Sequence, residues 1–121
     1  MSNTSNAGNA WVYLDEARAI EQIGDVATLR SMLPMLQEML ERDVPEIARL
    51  LQAQDVRSAN PLLHSLKGCM PIFCRTVLCE HLARVEHMSK AGSAAEVTPA
   101  FEDLRPQLDG LLAEVIHYQT L

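Results

Sequence analysis

At 121 residues, 48% of them hydrophobic, the chain holds one globular domain with a modest core and is too short for two. A formal net charge of −6 with no Lys/Arg cluster argues against nucleic acid as a partner, because binding the phosphate backbone needs a basic face. Five glycines, 4% aromatics and an abundance of Leu, Ala, Glu and Met favour helices packed by aliphatic side chains over a sheet, so the expected class is all-α.

Residues 1–10 read as a flexible polar tail, followed by a folded domain over 11–121. That start lacks the basic and apolar regions of a signal peptide, and no run is apolar enough to span a bilayer, so a cytoplasmic protein without membrane insertion is expected. Asp15 is a candidate N-cap for a short helix that Gly24 ends, and Asp25 caps the next. The second helix, running to about Gln54, carries Leu29, Leu33, Leu36, Leu40, Val44, Ile47 and Leu51 at helical spacing. Pro34 and Pro45 lie inside it and predict bends. Gln54 to Ser58 is the expected connection. Asn60 as N-cap with Pro61 at the first helical position would then start a third helix, striped by Leu63, Leu66, Met70, Phe73 and Val77.

Pro71 is expected to kink or end that helix. A fourth, about Arg75 to Ser89, buries Leu78, Leu82 and Val85 and closes at the turn Ala91-Gly92-Ser93. The last helix has two possible starts, a capping box of Ser93 with Glu96 or a Thr98-Pro99 cap. Val97, Phe101, Leu104, Leu108, Leu111, Val115 and Tyr118 follow at four-three spacing, which suits a seam of an antiparallel bundle.

Chemistry concentrates in the third helix. His64, Lys67 and Gly68 fall on one face beside the apolar stripe. A neutral imidazole is a nitrogen nucleophile near physiological pH, and an ammonium one turn on pairs with phosphoryl oxygens if the ring becomes phosphorylated. Glycine at i+4 removes the side chain that would keep a bulky partner from the ring. No glycine-rich phosphate loop or paired-carboxylate constellation accompanies them. Cys69, Cys74 and Cys79 are odd in number and five residues apart, so they share no helical face and are expected to be buried, reduced thiols. No CxxC pair supports a metal site, and none is expected. His81, His87 and His117 are read as surface residues, and Met32, Met35, Met39 and Met70 as core or docking-surface filler.

His64-Ser-Leu-Lys67-Gly68 resembles the His-x-x-Lys-Gly signature of histidine-containing phosphotransfer (HPt) domains in the multistep phosphorelays of two-component signalling. Tyr13-Leu-Asp15 with Ile23-Gly-Asp25, Asp43-Val-Pro-Glu-Ile47 and Leu82-Ala-Arg-Val-Glu86 resemble further parts of that family, and the likeness runs over roughly residues 13–121. It implies an antiparallel four-helix bundle preceded by a short N-terminal helix. It also implies His64 as phosphoacceptor, Lys67 stabilising the phosphoryl group, Gly68 admitting the partner and Glu86 orienting the imidazole. The implied partners are response-regulator receiver domains and a hybrid sensor histidine kinase. The chain itself needs no cofactor, Mg being expected on the receiver, and is a carrier rather than an enzyme. The family usually has small residues and a glycine where this chain has Met70-Pro71-Ile72-Phe73-Cys74. That departure motivates the alternative, a non-phosphorylated helical adaptor that binds a receiver or another signalling protein.

Overall fold

The computed structural model describes residues 11–121, so the tail expected at 1–10 lies outside the described residues. Among the described residues the regular structure is all helical, with α1 Glu16–Ile23, α2 Val26–Gln52, α3 Val56–Phe73, α4 Thr76–Ser89 and α5 Ala94–Gln119. Local capping explains most of these boundaries. The Asp15 carboxylate accepts the Arg18 N–H at the start of α1, and Asp25 accepts that of Thr28 at the start of α2. Between them Gly24, at φ 121°, turns the chain with a conformation that a side chain would strain. The helix α2 runs unbroken through Pro34 and Pro45.

The link from α2 to α3 differs from expectation. Gln54 takes φ 64°, the Asp55 N–H reaches the Leu50 carbonyl at 2.8 Å and the Gln54 N–H reaches that of Leu51 at 3.0 Å, a Schellman closure. This tight turn delivers Asp55, not Asn60, to the cap of α3, where its carboxylate accepts the Ser58 N–H. Asn60 and Pro61 therefore lie inside the helix, and the side chain of Asn60 is free for another task.

At its far end α3 passes Pro71 and stops at Phe73, where Cys74 becomes extended and pairs with Leu14. The Asp15 N–H donates to Phe73 O at 2.7 Å, and Arg75 N–H to Tyr13 O at 2.9 Å. Backbone bonds thus replace those α3 gives up. Val77, expected in the α3 stripe, instead sits in the first turn of α4 and is 73% exposed. The start of α5 is the complete capping box of Ser93 and Glu96, which excludes the Thr98-Pro99 start.

One hydrophobic core unites the helices. Its largest fully buried side chains are Phe73 and Phe101, with the predicted stripes of α2 and α5 buried throughout. The helix α2 packs against α5 and α3, α4 against α3 and α5, and α1 against α2 and α3. Each Leu so enclosed contributes on the order of 1.5–3 kcal/mol by leaving water. The N-terminal strap is tied down by Glu114 of α5, whose carboxylate accepts the N–H groups of Val12, Tyr13 and Leu14 at 2.7, 2.9 and 2.8 Å. Among the described residues no helix is long and apolar enough to cross a membrane.

Candidate functional site

Leu63 and Leu66 of α3 are fully buried, and this orientation turns the neighbouring face, with Asn60, His64, Lys67 and Gly68, toward α4 and solvent. Across from it α4 presents Glu86, between the buried Leu82 and Val85 on one side and Ser89 on the other. Glu86 is the centre of the arrangement. Its side chain is 0% exposed, whereas that of His64 is 69% exposed and that of Lys67 40%.

The Glu86 carboxylate has several partners. Lys67 Nζ lies 3.3 Å from Oε1 and Lys90 Nζ 3.9 Å from the same oxygen. Asn60 Nδ2 donates to Oε2 at 3.2 Å, and His64 Nδ1 lies 3.5 Å from Oε2. Burial pushes the carboxyl pKa up, but the hydrogen bonds from Lys67 and Asn60 and the charges of Lys67 and Lys90 outweigh it, leaving the group below its ordinary value. It is an anion at neutral pH. Ser89 completes the support, accepting from Asn60 Nδ2 at 2.8 Å and donating its hydroxyl to the Glu86 carbonyl at 2.6 Å.

A buried anion beside Nδ1 favours the proton on that nitrogen, which leaves the lone pair on Nε2, the far nitrogen of an exposed ring. The His64–Glu86 separation is longer than an ordinary hydrogen bond, so the pull is electrostatic. Lys67 is held by Glu86 near the ring, within reach of an anion arriving there. Gly68 is exposed, and a Cβ built on it would meet nothing within 4 Å. Among the described residues no neighbour requires a glycine there.

The four residues singled out from sequence therefore gather at one place. Asn60, Ser89 and Lys90 were missed. The sequence offers Asn60 as a cap, although its position four residues before His64 also places it on the same helix face. Ser89 and Lys90, three and four residues after Glu86, carried the same periodic signal.

Elsewhere, His87 and His117 are exposed and His81 is half-buried, with Nδ1 3.1 Å from Gln107 Oε1. Of the cysteines expected to be buried, only Cys74 is. Cys69 on α3 and Cys79 on α4 are half-exposed, whereas Cys74 lies in the buried link between the two helices. Among the described residues no group of three or more His, Cys, Asp or Glu side chains is placed to hold a metal ion. A cleft of about 350 Å³ between α2 and α5, lined by Pro45, Arg49, Phe101 and Arg105, includes none of the His64 cluster.

Comparison of the chain with protein-family models, curated proteins and solved structures finds no match.

Proposed function

We propose that the protein is a histidine phosphotransfer module, taking a phosphoryl group from the aspartyl phosphate of one receiver domain onto His64 and passing it to the aspartate of another. The observation that carries this is an exposed imidazole backed by a buried carboxylate at Nδ1, with an ammonium one turn away and open space over Gly68.

In this reading His64 Nε2 attacks phosphorus in line, the N–P bond forming as the bond to the aspartyl oxygen breaks, and the freed carboxylate leaves with the electron pair. Lys67 turns from Glu86 to the phosphoryl oxygens, and Glu86 balances the imidazolium that forms beneath. Chemistry of this kind needs positioning and charge neutralisation more than covalent machinery. The receiver supplies its own divalent cation, so the module is a cytoplasmic carrier between a hybrid sensor histidine kinase and a response regulator, not a free-standing enzyme. The matching architecture is an antiparallel four-helix bundle of α2 to α5 with α1 in front. It is supported by the cyclic packing of α2 on α3, α3 on α4, α4 on α5 and α5 on α2 and by the short connections between them.

The test is incubation with phosphorylated receiver domains. Acid-labile, base-stable phosphate on the native chain and none on His64→Gln is the expected result. Binding of receivers without label across a broad panel would overturn phosphotransfer and favour the adaptor.

A further inference from the structure

The site around His64 leaves unused a pair of thiols at the junction of α3 and α4. Arg75 is the N-cap of α4, so Cys74 holds the position just before the cap and Cys79 the fourth position of the helix. Side chains at those two positions meet across a helix start, where apolar residues commonly form a staple. Here both are cysteines. Cys74 is fully buried, with its Sγ 3.5 Å from Met70 Sδ. Cys79 is half-exposed, and its thiol donates to the Cys74 carbonyl oxygen at 3.6 Å, which holds the two residues against each other.

The two sulfurs are unequal. The neighbouring Cys74 thiol, with help from the Arg18 charge, lowers the Cys79 thiol to about 7 against the opposing effects of burial and of the Asp15 carboxylate. The Cys79 thiol beside it and burial push Cys74 up, so it stays protonated. The first turn of α4 contains no acidic residue to oppose an anion at its positive end. Cys69 belongs elsewhere, with its Sγ 3.4 Å from Met39 Sδ of α2 and its thiol raised by burial.

We propose that Cys74 and Cys79 form a reversible oxidation site, in which Cys79 reacts with a hydroperoxide and Cys74 resolves the product to a disulfide. The Cys79 thiolate attacks one peroxide oxygen, the O–O bond breaks, and hydroxide or alkoxide leaves with the electron pair, giving a sulfenic acid. The Cys74 sulfur then attacks that sulfur, the S–O bond breaks, and water departs with the Cys74 proton. Two thiols are oxidised as one peroxide is reduced. Half-exposure lets Cys79 meet the oxidant, while burial keeps Cys74 for the intramolecular step. The bond ties the C-terminal cap of α3 to the first turn of α4, and a dithiol reductant restores both thiols. This site stands whether or not His64 carries phosphate.

The experiment treats the reduced full chain with hydrogen peroxide at neutral pH, followed by intact mass and tryptic mapping. Cleavage after Lys67, Arg75 and Arg84 places Cys69 and Cys74 together in peptide 68–75 and Cys79 in 76–84, so fragmentation of the linked pair and the Cys69→Ser variant assign the bond. The expected outcome is loss of two hydrogens, with these peptides joined through Cys74 and separated again by dithiothreitol. Cys69→Ser still forms the link, and Cys74→Ser stops as a sulfenic acid on Cys79 that dimedone traps. In the untreated native chain, iodoacetamide at pH 7 labels Cys79 at least roughly tenfold faster than Cys69. A native chain that keeps three free thiols, or that links through Cys69 or between copies, overturns the proposal.

Discussion

Replacement of Gly68 by alanine separates internal stability from partner approach, because the two effects have opposite signs. Gly68 lies in the interior of α3, where glycine is less favourable than alanine by about 0.5–1 kcal/mol through its greater loss of backbone freedom. Among the described residues the added Cβ meets no neighbouring atom within 4 Å, so no steric clash opposes that gain. Gly68→Ala should therefore raise unfolding stability by about 0.5–1 kcal/mol, equivalent to roughly a two- to fivefold shift in the folding equilibrium. Urea titration should show a higher midpoint at unchanged slope. If a receiver closes over this face, the same methyl stands where the partner must sit. Displacement of the reacting atoms by about 1 Å costs on the order of a hundredfold in rate, so transfer from a phosphorylated receiver should fall by at least about tenfold. Greater stability with slower transfer is the expected pair. A loss of stability would refute the reading of the open face, and unchanged transfer would refute the docking role of the glycine.

Asn60→Ala removes the amide that binds both Glu86 and Ser89, and should cost roughly 1–2 kcal/mol in urea denaturation, because the buried carboxylate loses a partner. An unchanged midpoint would mean that Glu86 is held without it. The depressed Glu86 pKa carries a defined sign. The folded protein holds this proton less tightly than the unfolded chain, so the contribution is complete above the unfolded value near 4.5 and is lost as pH falls through the lower folded value. Stability should therefore decline as the pH drops below about 4.5, and Glu86→Gln should flatten that decline when midpoints are compared across pH. A parallel decline in both proteins would remove Glu86 as a contributor. Glu114→Ala strips the acceptor from three N-terminal N–H groups and should cost about 2 kcal/mol. Fast amide exchange confined to residues 12–14 is the accompanying signature, and continued protection there would refute the tether.

Some elements were legible because their cause is local. Asp15, Asp25 and the Ser93–Glu96 pair cap the helices that follow them through contacts three residues away, and the seven-residue stripe of α5 is buried at every position. Asn60 is ambiguous in the sequence because a short amide beside a proline carries the same signal at a helix start as inside a helix where it faces a buried acid. Only the turn before it decides between the two. That turn depends on Gln54 adopting a left-handed conformation, to which glutamine gives no advance sign. Val77 continued the spacing of α3 arithmetically, but the backbone pairing of Leu14 with Cys74 ends the helix before it.

The candidate site divides in the same way. His64, Lys67 and Gly68 share a face by helical periodicity alone, so the sequence determined their grouping, the all-helical class and most helix boundaries. Tertiary structure decided what stands behind them. Packing of α4 on α3 places the Glu86 carboxylate under the ring and joins Asn60, Ser89 and Lys90 to it, and docking of the strap on α5 brings Glu114 to backbone about a hundred residues away. Periodicity records which residues share one helix face; which faces meet depends on how apolar stripes and buried polar groups are satisfied across the whole chain at once.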